Sequence, residues 1–403
     1  MITFIENYHS IRFFSIPCET VRRQILTNLF DYLAWRGDID FSTSPFNEVD
    51  ALLLSQISYI DFSSTVPGDF SGKAAFLSDV AKNLQLLPDF QRRCQFSTGI
   101  NPRTMELFLC AAETKRFSSI KMRAFVDILD ETREEQFSAL TYTIGGTTAV
   151  VFRGTDGNVI GWKEDCHLSC MDEIPAQKDA LEYLLSAAKS SHGKIILAGH
   201  SKGGNLSVYA ASKSPPKIQK RISAVYNFDG PGFEEAFFKS EGYLRVGGRI
   251  KTFVPRLSIV GMLFHHTKNV TVVTSGSKGI MQHDPISWQT GAVKFPETES
   301  TARESKYISS TVNGWIDGLS REQRSQFVDA VFDIFRNAKI SENDQIKANP
   351  FESAGKLISA YTKMDSKARH ALQNTVQLLI KSGFSNLGRG KNQENLPGSP
   401  NGH

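Results

Sequence analysis

The sequence predicts an α/β fold in which a mostly parallel sheet is covered by helices on both faces. In the middle of the chain, short apolar runs typical of strands alternate with longer segments whose apolar residues recur at helical spacing. Strands that alternate with helices pair in parallel, and a parallel sheet is buried on both faces. The chain has 403 residues, of which 40% are hydrophobic and 22% charged, as in a globular protein with room for one large domain and additions.

The expected core spans residues 116–300. Its first strand is predicted near Ile120, where apolar and basic residues alternate, and two more at Ala139–Ile144 and Thr148–Phe152. Two helices and four further strands are then predicted, the helices at Pro175–Ser190 and Gly203–Ser212 and the strands at Lys194–Ala198, Ala224–Phe228, Ile250–Val254 and Val270–Thr274.

Both flanks of this core have helical patterns. Residues 1–115 carry apolar side chains at helical spacing, and we expect this region to pack on the core. Residues 301–385 are also predicted to be helical, most clearly at Arg321–Arg336 and again at Ala368–Ser382. Residues 386–403 are rich in Gly, Asn and Pro with almost no apolar residues, which predicts a disordered tail.

Composition and charge exclude several classes of partner. A formal net charge of +4 does not indicate a nucleic-acid-binding protein, because such proteins concentrate basic residues on one face. No run approaches the roughly 18 apolar residues of a membrane span, and the N-terminus lacks the features of a secretory signal. We therefore expect no stable membrane insertion and a cytoplasmic location. The oligomeric state is not predicted.

Cysteine usage gives no sign of a metal or a disulfide framework. The five cysteines form no CxxC pair, which fits reduced thiols. Cys166 and Cys170 are spaced as in some metal sites, but a second pair of ligands is absent. No structural metal is predicted.

The segment Gly199-His200-Ser201-Lys202-Gly203 fits the pattern G-x-S-x-G and lies between an apolar strand and a helix of small residues. On a sharp strand-to-helix turn the serine backbone is strained, and the residues two positions away must lack side chains. The following helix N-terminus favours negative charge on an oxyanion. The alternatives are a glycine-rich turn without chemistry or a phosphate-binding loop, whose GxxxxGK[ST] pattern is absent. We interpret Ser201 as a nucleophile.

Several segments resemble the class 3 lipase group of α/β-hydrolases, and more closely a bacterial branch of lipase-like hydrolases without an assigned substrate. The resemblance extends over about residues 25 to 290. It implies an α/β-hydrolase fold with helical N- and C-terminal additions. The segments that carry it are Asp31–Asp38, Ala149–Thr155, Gly161–Asp165, Gly199–Leu206, Asn227–Phe233 and Gln282–Asp284.

The resemblance also implies an oxyanion hole. In lipase-like enzymes the Phe-Arg-Gly-Thr segment supplies a donor, and here that segment ends at Thr155. Thr155 would therefore stabilise the oxyanion together with the backbone N–H of Lys202, the residue after the nucleophile.

A nucleophilic serine needs a base, and in this chain order a histidine follows it. The candidates are His265, His266 and His283. His283 follows the predicted strand at Val270–Thr274 and matches the family position, so we predict it as the base. At least one of His265 and His266 is expected on the surface. His200 should point away from the serine and be packed or hydrogen-bonded locally.

The acid is less well defined by the sequence. Class 3 lipases carry an aspartate two residues before a Val-Pro pair, and Thr252 stands at that place here. Asp229 ends the strand after the nucleophile strand, a position that some other lipases use, and we predict it as the acid. It could instead be a turn aspartate that binds its own backbone. Asp284 is the weaker candidate, because neighbouring residues rarely face each other.

Two further segments have structural interpretations. Arg153 and Asp165 are expected to form a buried ion pair behind the oxyanion loop, which would hold the loop without reacting. The apolar run Leu257–Phe264 either lines an acyl pocket or flap, or is part of the core.

The predicted function is that of a serine hydrolase that cleaves a carboxylic ester of a small molecule or lipid through an acyl-enzyme, with no cofactor. An acyltransferase or thioesterase on the same scaffold is an alternative. A binding protein that retains the fold without catalysis is another, and the missing family acid favours it.

Overall fold

The computed structural model describes residues 27–97, 99–266, 270–296, 303–342 and 349–363, and the single positions 298, 345, 366, 369, 370, 373 and 377. The predicted disordered tail, residues 386–403, lies outside the described residues. Most of the predicted helix at Ala368–Ser382 does so as well.

One eight-stranded sheet forms the centre of the fold, and its strands lie side by side in chain order. The first four pair antiparallel, and from β4 onward the pairing is parallel. Tight turns join β2 to β3 and β3 to β4, which only antiparallel strands allow. The strands are β1 (Ala75–Phe76), β2 (Lys121–Asp130), β3 (Glu135–Ile144), β4 (Thr147–Phe152), β5 (Ile195–His200), β6 (Ile222–Phe228), β7 (Ile250–Pro255) and β8 (Val270–Val273).

Helices precede, cover and follow this sheet. Before and around β1 lie α1 (Leu29–Arg36), α2 (Glu48–Ile57), α3 (Leu77–Gln85), α4 (Phe90–Arg93) and α5 (Thr104–Glu113). Between the strands lie α6 (Val159–His167), α7 (Pro175–Lys189), α8 (Lys202–Lys213), α9 (Pro216–Gln219), α10 (Glu235–Phe238) and α11 (Glu241–Val246). After β8 come α12 (Arg303–Asp317), α13 (Arg321–Asn337) and α14 (Pro350–Lys363). Short 3-10 helices span Gly247–Arg249, Val260–Met262, Gly279–His283 and Pro285–Ser287.

The two faces of the sheet belong to two apolar clusters, as the alternation of side chains along a strand requires. Val151 and Ala198 face one cluster, which contains side chains of α1, α2, α3 and α5. Their neighbours Val150 and Leu197 face the other, with α7 and α8. The predicted α/β-hydrolase fold, with a mostly parallel sheet, helices on both faces and helical additions, is confirmed.

The helices after β8 contact α6 and the segment that follows β7. Val328 and Phe332 of α13 form a small apolar cluster with Val159 of α6. Asn313 of α12 binds the backbone of Met262 and Phe264. Among the described residues, no helix combines the length and apolar character that a membrane crossing requires.

Candidate active site

Ser201 occupies the sharp turn between β5 and α8. Its φ of 56° and ψ of −131° are strained for a residue with a side chain. A Cβ at Gly199 would lie 2.2 Å from the backbone of Gly203, and a Cβ at Gly203 would lie 2.1 Å from the carbonyl oxygen of Phe152. Both glycines are therefore required by the close approach of the strand, the turn and the helix. This is the steric condition that the G-x-S-x-G spacing predicts.

His283 and Asp229 form a hydrogen bond at the carboxyl edge of the sheet. Nδ1 of His283 lies 2.6 Å from Oδ2 of Asp229, which directly follows β6. The Asp229 carboxylate is fully buried, and its Oδ1 accepts a hydrogen bond of 2.5 Å from the Ser258 hydroxyl. Because Nδ1 of His283 is engaged with Asp229, Nε2 is the ring atom left for proton transfer. Ser201 and His283 line the same cavity.

The other histidines considered as the base are placed differently. His265 is exposed and forms a backbone bridge with Phe233. His266 is largely buried, which lowers its pKa to about 4. Neither is among the residues that line the cavity with Ser201. His200 is buried and is hydrogen-bonded to the Tyr59 hydroxyl and to the backbone carbonyl oxygen of His283. Both partners are distant from His200 in the chain, so its hydrogen bonds are not made with sequence neighbours.

The alternative acid, Asp284, is held away from the histidine. One of its carboxylate oxygens accepts a hydrogen bond of 2.6 Å from Asn101, and the other accepts the N–H of Ile286 at 3.0 Å. It therefore caps the next 3-10 helix. Thr252, at the place of the usual family acid, is a buried residue of β7. Of these three residues, the structure pairs only Asp229 with His283.

Thr155 and Lys202 lie beside Ser201 on the cavity wall. The Thr155 hydroxyl donates to Oδ1 of Asp165 at 2.9 Å. Within the part of the chain that the structure describes, the backbone N–H groups of Thr155 and Lys202 have no hydrogen-bond partner. The Thr155 hydroxyl is therefore occupied, whereas the two backbone N–H groups are unoccupied donors.

The Lys202 side chain makes an interaction that the sequence reasoning missed. Its ammonium is buried and lies 2.8 Å from both the Glu164 carboxylate and the Gln136 carbonyl oxygen, and 3.8 Å from Asp165. Burial raises the pKa of Asp165 to about 6, although Lys202 and the Thr155 hydroxyl act in the opposite direction. A lysine followed by two glycines at the start of a small-residue helix could have signalled a buried cation.

The predicted ion pair between Arg153 and Asp165 is wrong. Arg153 instead binds Asp127 of β2 through two hydrogen bonds of 2.8 and 3.0 Å. Arg153 directly follows β4, and its backbone still pairs with Ser138 of β3, so its side chain extends across β3 towards β2. Asp165 instead lines the cavity and accepts the Thr155 hydroxyl.

A cavity of about 440 Å³ opens at Ser201, and its walls are mainly apolar. This volume is within the usual range for small-molecule sites. Val260, Leu263 and Phe264 line it, so the interpretation of this run as plain core is wrong for those residues. The C-terminal helices α12 and α13 complete the wall with Val312, Trp315, Ile316, Arg324, Phe327 and Val328.

One cluster of described residues offers ligand atoms close enough together for a metal. Glu134, His167 and Asp329 place one atom each within 4.8 Å of one another. The Lys163 ammonium already lies 2.5 Å from Glu134 and 3.0 Å from Asp329. It supplies the positive charge that these carboxylates need.

The sheet, its helical layers and the serine turn define the class of the protein, which has the lipase-like α/β-hydrolase fold. The chain belongs to the Mbeg1-like family, whose model matches residues 111–333, more than half of the chain. No curated protein matches the chain significantly.

Two solved structures are similar to the chain. The crystal structure of M37 lipase is 17% identical, with a TM-score of 0.35, and the match covers 54% of this chain and 70% of that one. The crystal structure of a mutant form of MDLA from Penicillium cyclopium is 14% identical, with a TM-score of 0.34, and the match covers 65% and 94%. Similarity at this level carries no information about substrate.

Proposed function

We propose that the protein is a serine hydrolase that cleaves carboxylic esters through an acyl-enzyme. The observation that carries the proposal is that His283, which is hydrogen-bonded to the buried Asp229, lines the same cavity as the strained Ser201. A serine, a histidine and a buried carboxylate at one site are the components of an activated nucleophile. The sequence resemblance to class 3 lipases, and to a bacterial lipase-like branch, points to the same chemistry.

In the proposed first step, His283 Nε2 accepts the proton of the Ser201 hydroxyl while Oγ attacks the ester carbonyl carbon. The Asp229 carboxylate stabilises the imidazolium that forms. The N–H groups of Thr155 and Lys202 donate to the tetrahedral oxyanion, and each such donor contributes roughly 3 kcal/mol. The leaving alcohol takes the proton from His283, and water then releases the acyl group by the same route in reverse.

The cavity walls favour an ester with an apolar acyl chain. Val260, Leu263 and Phe264 line the cavity together with Trp315 and Phe327, and apolar surfaces of this kind bind hydrocarbon by excluding water. A lipid ester or a small-molecule ester with a hydrocarbon chain fits this lining. We also propose that residues 116–300 form the catalytic core and that the helical regions 1–115 and 301–385 are additions to it.

The first experiment is labelling with a fluorophosphonate probe. We expect the wild-type protein to be labelled and both Ser201→Ala and His283→Ala to lose labelling. His265→Ala is the matched control, because His265 is exposed and lies outside the cavity lining, and it should be labelled like the wild type. A labelled enzyme is then assayed on an ester series from acetate to palmitate.

The outcomes separate the alternatives. A well-folded wild-type protein that is not labelled would refute the proposal and indicate a binding protein. Transfer of the acyl group to an added alcohol or amine, in preference to water, would indicate an acyltransferase. Faster cleavage of thioesters than of the matched oxygen esters would indicate a thioesterase.

A further inference from the structure

Tyr59, which follows α2 in the N-terminal helical region, reaches the candidate active site. Its side chain is buried, and its phenol oxygen lies 3.1 Å from Nδ1 of His200. On the other side of the His200 ring, Nε2 lies 2.8 Å from the backbone carbonyl oxygen of His283. Tyr59 therefore connects to the backbone of the proposed base through one intervening imidazole.

The direction of each hydrogen bond follows from the groups involved. The carbonyl oxygen of His283 can only accept, so Nε2 of His200 carries the proton. Burial keeps His200 neutral, because it holds the pKa of this imidazole well below the ordinary value. Nδ1 is then a bare acceptor, and the Tyr59 hydroxyl must be its donor.

The same phenol oxygen also contacts the oxyanion segment. The backbone N–H of Gly154 faces it. A Cβ at Gly154 would lie 2.3 Å from the Tyr59 oxygen, so a glycine is required for the approach. The Tyr59 hydroxyl therefore lies against the backbone of Gly154, the residue before Thr155, whose N–H we propose as an oxyanion donor.

We propose that Tyr59 and His200 are positioning residues that hold the oxyanion segment and the backbone of His283 in a fixed relation. The inference rests on the proposed hydrolase function. The proposed reaction requires that the N–H of Thr155 and the ring of His283 be aligned with each other. Thr155 lies in the segment after β4, and His283 lies in the segment after β8. The Gly154–Tyr59–His200–His283 series is the polar connection between them.

Kinetic variants test the positioning role. Tyr59→Phe removes one hydroxyl and keeps the ring, and we expect kcat to fall roughly 10-fold while KM changes little. His200→Leu removes both hydrogen bonds and should lower kcat further. His200→Gln retains an N–H that can reach the His283 carbonyl, and it should recover part of the kcat that the leucine variant loses.

Tyr142→Phe is the matched control. Tyr142, in β3, is buried like Tyr59, but its hydroxyl has no hydrogen-bond partner among the described residues. Its loss should therefore leave kcat unchanged. If Tyr59→Phe behaves like Tyr142→Phe, or if His200→Gln is no better than His200→Leu, the positioning role is refuted.

A second readout does not depend on activity. In the Ser201→Ala variant, nitrogen-15 NMR of the histidine side chains, with His200→Gln for assignment, should show His200 as the neutral Nε2–H tautomer. An Nδ1–H tautomer or an imidazolium would overturn the proposed series of contacts. If the tautomer is found but the wild type is not labelled by fluorophosphonate, the hydrolase function fails and the catalytic role fails with it, whereas the contacts stand.

Discussion

His283 and Asp229, 54 residues apart in the chain, are joined by a hydrogen bond of 2.6 Å between Nδ1 and Oδ2. The second carboxylate oxygen of Asp229 accepts the Ser258 hydroxyl, so both oxygens are engaged and the orientation of the carboxylate is fixed. Asp229 itself has a φ of 52°, a strained value for a residue with a side chain. This arrangement gives the histidine one tautomer and one ring orientation.

The first prediction concerns this pair. Asp229→Asn should lower kcat by roughly 10⁴-fold with a small change in KM, because the amide favours the wrong tautomer of His283 and does not stabilise the imidazolium. Asp284→Asn is the control, since Asp284 binds Asn101 and the N–H of Ile286. Steady-state kinetics on a single ester measure both. Equal losses in the two variants would contradict the assignment of the acid.

The parts of the site that lie close together in the chain could be predicted from the sequence. The turn at Ser201 depends on a strand, a helix and two glycines within a few residues, so its pattern is local. The positions of Asp229 and His283 follow from chain order, because residues after parallel strands gather at one edge of the sheet. Which carboxylate meets His283 depends on the path of two loops, and the sequence left Asp229 and Asp284 as alternatives.

Other features depend on packing between distant segments, which no local pattern reports. Glu164 and Lys202 are 38 residues apart and meet only because α6 lies against the start of α8. The expected partner of Arg153 was wrong for a similar reason, because side-chain direction after a strand depends on register. Nothing in α12 or α13 marks one face as the wall of a cavity rather than part of the core.

The second prediction concerns the buried pair of Lys202 and Glu164. Lys202→Met should lower the free energy of unfolding by about 3–5 kcal/mol, because it leaves a carboxylate buried without its cation. Adding Glu164→Gln should cost less than the sum of the two single changes. Urea unfolding of the four proteins measures the coupling free energy.

The control for this cycle is an exposed pair of the same type. Lys239 and Glu235 form an ion pair of 2.7 Å on the surface, and Lys239→Met should change stability by less than about 1 kcal/mol. Additive effects of Lys202→Met and Glu164→Gln would show that the buried pair contributes no coupling.

The third prediction is a pH dependence of stability. Burial raises the pKa of Asp165 from an ordinary 3.8 to about 6, so the folded protein holds this proton more tightly than the unfolded chain. Asp165 therefore makes its full contribution to the free energy of unfolding below about pH 4. This contribution decreases as the pH rises from about 4 to about 6, and above about pH 6 it no longer changes. The difference in unfolding free energy between wild type and Asp165→Asn should follow this course.

Urea unfolding of both proteins across this pH range measures the difference. Titrating groups remote from Asp165 are common to the two proteins and cancel, so the difference reports Asp165 and the groups it interacts with, Lys202, Glu164 and His283. Asparagine has nearly the shape of aspartate, so any packing change is the same at every pH. If the wild type became more stable relative to Asp165→Asn as the pH rose from about 4 to 6, the raised pKa of Asp165 would be contradicted.

The last prediction concerns the cavity wall that the C-terminal helices supply. Trp315 of α12 packs edge-on against Phe327 of α13, with ring centroids 5.1 Å apart, and both line the cavity with Ser201. For an ester with an apolar acyl chain, each buried methylene contributes about 0.8 kcal/mol, so kcat/KM should rise by up to about fourfold per methylene until the cavity is full.

Trp315→Ala enlarges the cavity and removes contact area. It should therefore lower kcat/KM for short chains and shift the optimum to longer chains. Trp35→Ala, at an exposed tryptophan of α1 outside the cavity lining, should keep the wild-type profile. An unchanged optimum in a folded Trp315→Ala protein would mean that the acyl chain leaves Ser201 in another direction, and that α12 and α13 cover the site without setting its chain-length preference.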